Sequence, residues 1–96
     1  MNRAEFEASL RQEGYAVKED EIEPHRHYGA HAHEFDARVL VLGGSLTLVF
    51  GTDRVTYRPG NSFSLPAGTM HEEHTEAAVT RLVEGYRAPM LASAAT

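Results

Sequence analysis

The stretch GNSFSLPAGTMH, Gly60 to His71, decides how the rest of the chain is read. Before it, Arg58-Pro59-Gly60-Asn61 is a turn signal, because proline presets φ and glycine accepts the left-handed conformations that turns need. Ser62–Leu65 then reads as a short strand, and Pro66-Ala67-Gly68 ends it in a second turn before His71. Short strands between such turns are the pattern of an antiparallel sandwich or barrel.

The same pattern extends upstream. Gly51-Thr52-Asp53-Arg54 reads as a hairpin connection between Ser45–Phe50 and Val55–Tyr57. Arg38–Leu42 is a dense apolar strand, turned or bulged by Gly43-Gly44. Tyr15 and Val17 open a strand expected to fade into the acidic Glu19-Asp20-Glu21, and Pro24 restarts the chain. Downstream, Ala78–Tyr86 is the last strand, with Leu82, Glu84 and Tyr86 on one face and Arg81, Val83 and Gly85 on the other. Asn2 to Glu13 departs from the β pattern. Asn2 and Glu5 have capping-box spacing, Gly14 suits the position after a helix, and Phe6 and Leu10 lie one turn apart.

With 96 residues, the expectation is a single domain: helix 1–14, barrel 15–87 and a frayed tail 88–96. Nine Lys and Arg face fourteen Asp and Glu, and no basic stripe exists, which argues against nucleic-acid binding. Cysteine is absent, so disulfides, thiolate ligands and a cysteine nucleophile are excluded. Without an apolar run of spanning length or a signal-peptide pattern, a cytoplasmic protein with no membrane partner is expected. Small size and exposed sheet edges favour a homodimer, formed through those edges and the helix.

Histidine carries the chemistry. The six fall into pairs: His25 and His27, His31 and His33, His71 and His74. Residues separated by one other in an extended strand share a face, so His31 and His33 present both rings to one side, a side continued by Ala37, Val39 and Val41. His71 follows the Pro66 turn and starts a strand able to lie beside the first. Three imidazoles with open coordination positions suit Zn²⁺, Fe²⁺, Mn²⁺ or Ni²⁺. Glu73 shares the strand face of His71, as a further ligand or a proton carrier. Asp36 falls on the opposite face unless a bulge re-aims it, and His74 alternates away. His25 and His27 read as solvated or as covering the barrel mouth, and Arg38 and Arg81 as surface charges or contacts to a substrate anion.

From about Pro24 to Tyr86 the chain resembles the cupins, whose fold is a double-stranded β-helix or jelly-roll barrel. Their first motif, G-x5-H-x-H-x3-4-E-x6-G, is matched by His31, His33 and Gly44; their second, G-x5-P-x-G-x2-H-x3-N, by Gly60, Pro66, Gly68 and His71. The chain departs from the pattern at Ala37 or Arg38, where the family has glutamate, at Thr75, where it has asparagine, and at His25, where it has the opening glycine. The resemblance implies a divalent transition metal on His31, His33 and His71. It also implies either a metal-dependent enzyme, dioxygenase- or isomerase-like, acting on a small oxygenated molecule, or a non-catalytic small-molecule-binding or sensing module.

Overall fold

The structure is a computed structural model that describes residues 1–89. Within it helix α1 (Arg3–Gln12) leads into strands β1 (Ala16–Ile22), β2 (His27–His31), β3 (Asp36–Gly43) and β4 (Leu46–Phe50). They are followed by β5 (Asp53–Tyr57), β6 (Ser62–Leu65), β7 (His71–His74) and β8 (Thr80–Arg87). The expected tail beyond Pro89 lies outside the described residues.

The strands form two antiparallel four-stranded sheets, ordered β1-β8-β3-β6 and β2-β7-β4-β5. Successive strands repeatedly change sheet, which winds the chain into a jelly roll. The sheets meet through alternate residues: Ala37, Val39 and Val41 of β3 and Leu82 of β8 face Leu46 and Leu48 of β4, all buried. This period-2 burial is what the sequence pattern anticipated. At one end of the interior the apolar filling stops and a cavity opens.

The opposite face of the first sheet is covered by α1. Both halves of the capping box form: Asn2 Oδ1 accepts from Glu5 N at 2.8 Å, and Glu5 Oε1 accepts from Asn2 N at 3.3 Å. Phe6 and Leu10 are buried against Leu40 and Val83, a burial worth about 1.5–3 kcal/mol for each large side chain. Arg38 lies in this layer. Its Nη1 donates to Ser9 Oγ at 3.1 Å and Glu13 Oε1 at 2.9 Å, and its guanidinium sits over the Phe6 ring. Arg81 instead pairs with Glu19 and Glu21 on the surface. Both arginines are thereby placed away from the cavity.

Three boundaries differ from expectation. Strand β1 runs through Glu19-Asp20-Glu21 to Ile22, because β8 pairs with it throughout and Arg3 and Arg81 neutralise Glu19 at 2.8 and 3.3 Å. The last strand starts at Thr80 and ends at Arg87. Above all, His31 and His33 do not share a strand: β2 stops at His31, and residues 32–35 carry the chain into the other sheet. Gly44 is where a side chain cannot be accommodated. Its φ is +71°, and an added Cβ would lie 2.4 Å from the Val79 carbonyl oxygen.

Candidate metal centre

Strand β7 has the sequence His71-Glu72-Glu73-His74, and strict alternation sends His71 and Glu73 inward, Glu72 and His74 outward. The register fixes which way is in: Glu73 pairs with Leu48, a core residue, and His74 with Thr47. On the other side of β7, Tyr28 of β2 pairs with Glu73 and His31 with His71. Gly29 and Ala30 of β2 therefore lie opposite the single residue Glu72 of β7. This bulge at Gly29-Ala30 turns the His31 ring onto the inner face. His33 reaches the same point from the inter-sheet link, where its carbonyl oxygen accepts from Gly68 N at 2.9 Å.

The three rings converge, with centroids 4.5 Å apart for His31 and His71, 5.1 Å for His31 and His33, and 5.2 Å for His33 and His71. One ligand atom from each of these histidines and from Glu73 lies within 4.8 Å of the others. Glu73 Oε2 stands 3.1 Å from His71 Nε2 and 3.4 Å from His31 Nε2. Adjacent ligands around a tetrahedral ion held at ordinary zinc distances are about 3.3 Å apart, so this spacing fits.

Tautomers sharpen the picture. His31 Nδ1 is 2.7 Å from the Gly29 carbonyl oxygen and His71 Nδ1 is 2.9 Å from that of Thr69. A carbonyl only accepts, so each Nδ1 carries the hydrogen, and a neutral ring then offers a bare lone pair at Nε2. Nε2 of both rings faces the Glu73 carboxylate, an arrangement that a proton on Nε2 or a metal cation between the three atoms satisfies, so the residues present fit a cation. Carbonyl contacts to the distal nitrogen are also how metal-bound histidines are oriented. Burial, then the neighbouring rings of His71 and His31, holds His33 below the ordinary imidazole pKa and favours its neutral, ligating form.

The cluster borders a cavity of about 530 Å³. Its walls are mostly apolar, with Ile22, Phe35, Leu46 and Phe63 among them, while Lys18, Tyr28, Glu84 and Tyr86 add polar contacts. Sequence reading placed Leu82, Glu84 and Tyr86 on one face but did not identify it as the cavity face; the buried Leu82 was the available signal. Of the other candidates, Asp36 is spent on the Ala67 amide, which it accepts at 2.8 Å. His25 is exposed, and His27 lies on the outer face rather than at the mouth.

Against protein families, the cupin-domain profile matches residues 16–83. The chain belongs to the cupin family. Among solved structures, this cupin is similar to a cupin-2 domain protein from Shewanella frigidimarina (22% identity, TM-score 0.64, covering 76% of this chain and 71% of that one). A protein of unknown function from Rhizobium leguminosarum aligns at 17% identity with a TM-score of 0.72, over 79% of this chain and 71% of its own. A polyketide cyclase from Streptomyces resistomycificus is 26% identical with a TM-score of 0.64, covering 81% of this cupin and 62% of the cyclase. No curated protein matches the chain.

The departures from the family motifs now have physical readings. Ala37, at the position of the motif's glutamate, is buried in the core beside Val39 and Leu65, and Glu73 brings a carboxylate from β7 instead. His25, at the opening glycine, has φ +56°, a left-handed conformation that glycine adopts without steric cost. Thr75, at the closing asparagine, ties the incoming loop: its Oγ1 donates to the Glu23 carbonyl at 2.7 Å and accepts from Arg26 N at 2.8 Å.

Proposed function

We propose that this cupin is a metal-dependent enzyme acting on a small oxygenated molecule, dioxygenase- or isomerase-like, with His31, His33, His71 and Glu73 holding a divalent transition-metal ion. The observation that carries the reading is a convergence of ligand atoms: Nε2 of His71 and of His31 lie 3.1 and 3.4 Å from Glu73 Oε2, with the His33 ring beside them. Three nitrogens and one oxygen form a donor set suited to zinc, iron, manganese or nickel. When bound, such an ion supplies Lewis-acid polarisation of a substrate oxygen.

The chain's own residues supply the rest. His31 and His71 are held in one tautomer by the Gly29 and Thr69 carbonyls, so their lone pairs stay aimed at a common point. Glu73 contacts both imidazoles through Oε2, which leaves Oε1 to take or return a substrate proton. A cavity of about 530 Å³ falls in the size range of small-molecule sites, and its apolar walls keep water from the carbon skeleton. Similarity to a polyketide cyclase supports the enzymatic reading over a purely structural barrel.

Elemental analysis of untagged protein tests the centre. His31→Ala and His71→Ala are each expected to hold one equivalent of metal fewer than the wild type; a metal-free wild type that also refuses added ion would sink the reading. Turnover is tested by following a panel of small hydroxy- and keto-acids by NMR. Consumption by the wild type but not by Glu73→Gln is expected. A compound that raises the melting temperature and is never consumed would identify a sensing module instead.

A further inference from the structure

We propose a second divalent-cation site on the outer face of the same sheet, formed by His27, Glu72 and His74. Strand alternation delivers Glu72 and His74 to that face, and the register pairs His74 with His27 across β2 and β7. The two imidazoles stack with centroids 4.1 Å apart and planes 21° from parallel. Stacked in this way, both aim Nε2 at a single carboxylate oxygen: Glu72 Oε1 is 3.1 Å from His27 Nε2 and 3.2 Å from His74 Nε2. All three ligand atoms lie within 4.8 Å of one another.

The two imidazole–carboxylate separations match the edges, about 3.3 Å, of a tetrahedron of nitrogen and oxygen ligands around zinc. Two imidazoles and a carboxylate select borderline ions such as Zn²⁺, Ni²⁺ and Cu²⁺ over the hard Mg²⁺ and Ca²⁺, which prefer all-oxygen shells. The site is open to solvent, since the His27 side chain is 59% exposed, and its fourth position is left for water. It also has a structural consequence. Among the described residues strand β2 is a sheet edge that pairs only with β7, and its ladder is interrupted by the Gly29-Ala30 bulge. A cation shared by His27 and His74 clamps that edge strand to its neighbour, and the same two strands carry the inner cluster.

The test is a zinc titration of metal-stripped wild type, the double variant His27→Ala/His74→Ala, and Glu72→Gln, with stoichiometry read by calorimetry. The double variant is expected to bind one equivalent fewer than the wild type, and Glu72→Gln to lose the same equivalent, with unchanged circular dichroism. Zinc is also expected to slow amide exchange along β2 in the wild type and not in the double variant. Equal stoichiometry in wild type and double variant would overturn the proposal. The difference is read against the wild type, so it holds whether or not the inner cluster binds: the count falls from two to one if it does, and from one to none if it does not.

Discussion

Each face of β7 carries one histidine and one glutamate, and each meets a histidine from β2; yet the two faces are built differently. On the inner face the His71 side chain is 0% exposed, His33 joins from the link, and carbonyls hold the distal nitrogens of His31 and His71. On the outer face the rings are partly exposed, and among the described residues no carbonyl holds Nδ1 of His27 or His74. There each Nε2 is free to carry the hydrogen and donate to Glu72. Similar residue content thus need not give equal sites; burial and tautomer control favour tighter cation binding on the inner face than on the outer one.

The sharpest way to break this contrast is His71→Ala. Losing a supporting contact around a metal ligand typically costs about 10–100-fold in affinity, and losing the ligand should exceed about 100-fold in chelator competition. The vacated, fully buried position should also destabilise the protein by roughly 2–3 kcal/mol. Unchanged affinity would show that the inner face is not a ligand face.

Next in size is Glu73→Gln, whose two effects should have opposite signs. In the metal-free protein at a pH where both rings are neutral, the amide can donate to an Nε2 lone pair, so stability should rise by about 1 kcal/mol. For a domain of this size that is roughly 4–8 °C in melting temperature. With metal added, the variant should instead melt below the wild type. A change of the same sign in both conditions would mean that Glu73 acts through packing alone.

A smaller effect concerns Glu84, which lines the cavity on the inner side. Burial raises its pKa above the ordinary carboxylate value, against the opposing pull of Lys18 at 3.5 Å. The folded state therefore binds this proton more tightly than the unfolded chain, and wild-type stability falls as pH rises through the folded value. Glu84→Gln should melt a few degrees higher than the wild type at neutral pH, and the two should converge in acid below the unfolded value. A gain that persists undiminished in acid would contradict the burial argument.

Smallest of all should be Glu72→Gln without metal. Hydrogen bonds from His27 and then His74 lower the Glu72 pKa, but the group is solvent-exposed and its melting temperature should not move measurably. A large loss would mean that the outer trio is a structural brace rather than a cation site.

Much of the architecture was legible in short strands punctuated by Pro59-Gly60, Pro66-Ala67-Gly68 and Gly43-Gly44, because turn chemistry is local. The inward face of β3, with Ala37, Val39 and Val41, followed from alternation, and the helix from its capping box. Strand β1 was misjudged at Glu19-Asp20-Glu21, where ion pairs to Arg3 and Arg81 come from remote segments. The inner cluster was legible in composition, through His31, His33, His71 and Glu73. The joint role of His27, Glu72 and His74 was not, because it depends on how two distant strands align.

What the sequence by itself determined is therefore the set of turns, the strand periodicity and the chemical types that reach the cavity, since all of these follow from nearest-neighbour conformational preferences. What only the tertiary structure decided is which histidine faces which side. His27 and His31 are four residues apart and would share a face in a regular strand, but Gly29 and Ala30 of β2 lie against Glu72 alone, and the bulge sends one ring out and the other in. The cause is physical: register between strands far apart in the chain is fixed by packing and hydrogen bonding across the whole sheet, which local spacing does not encode.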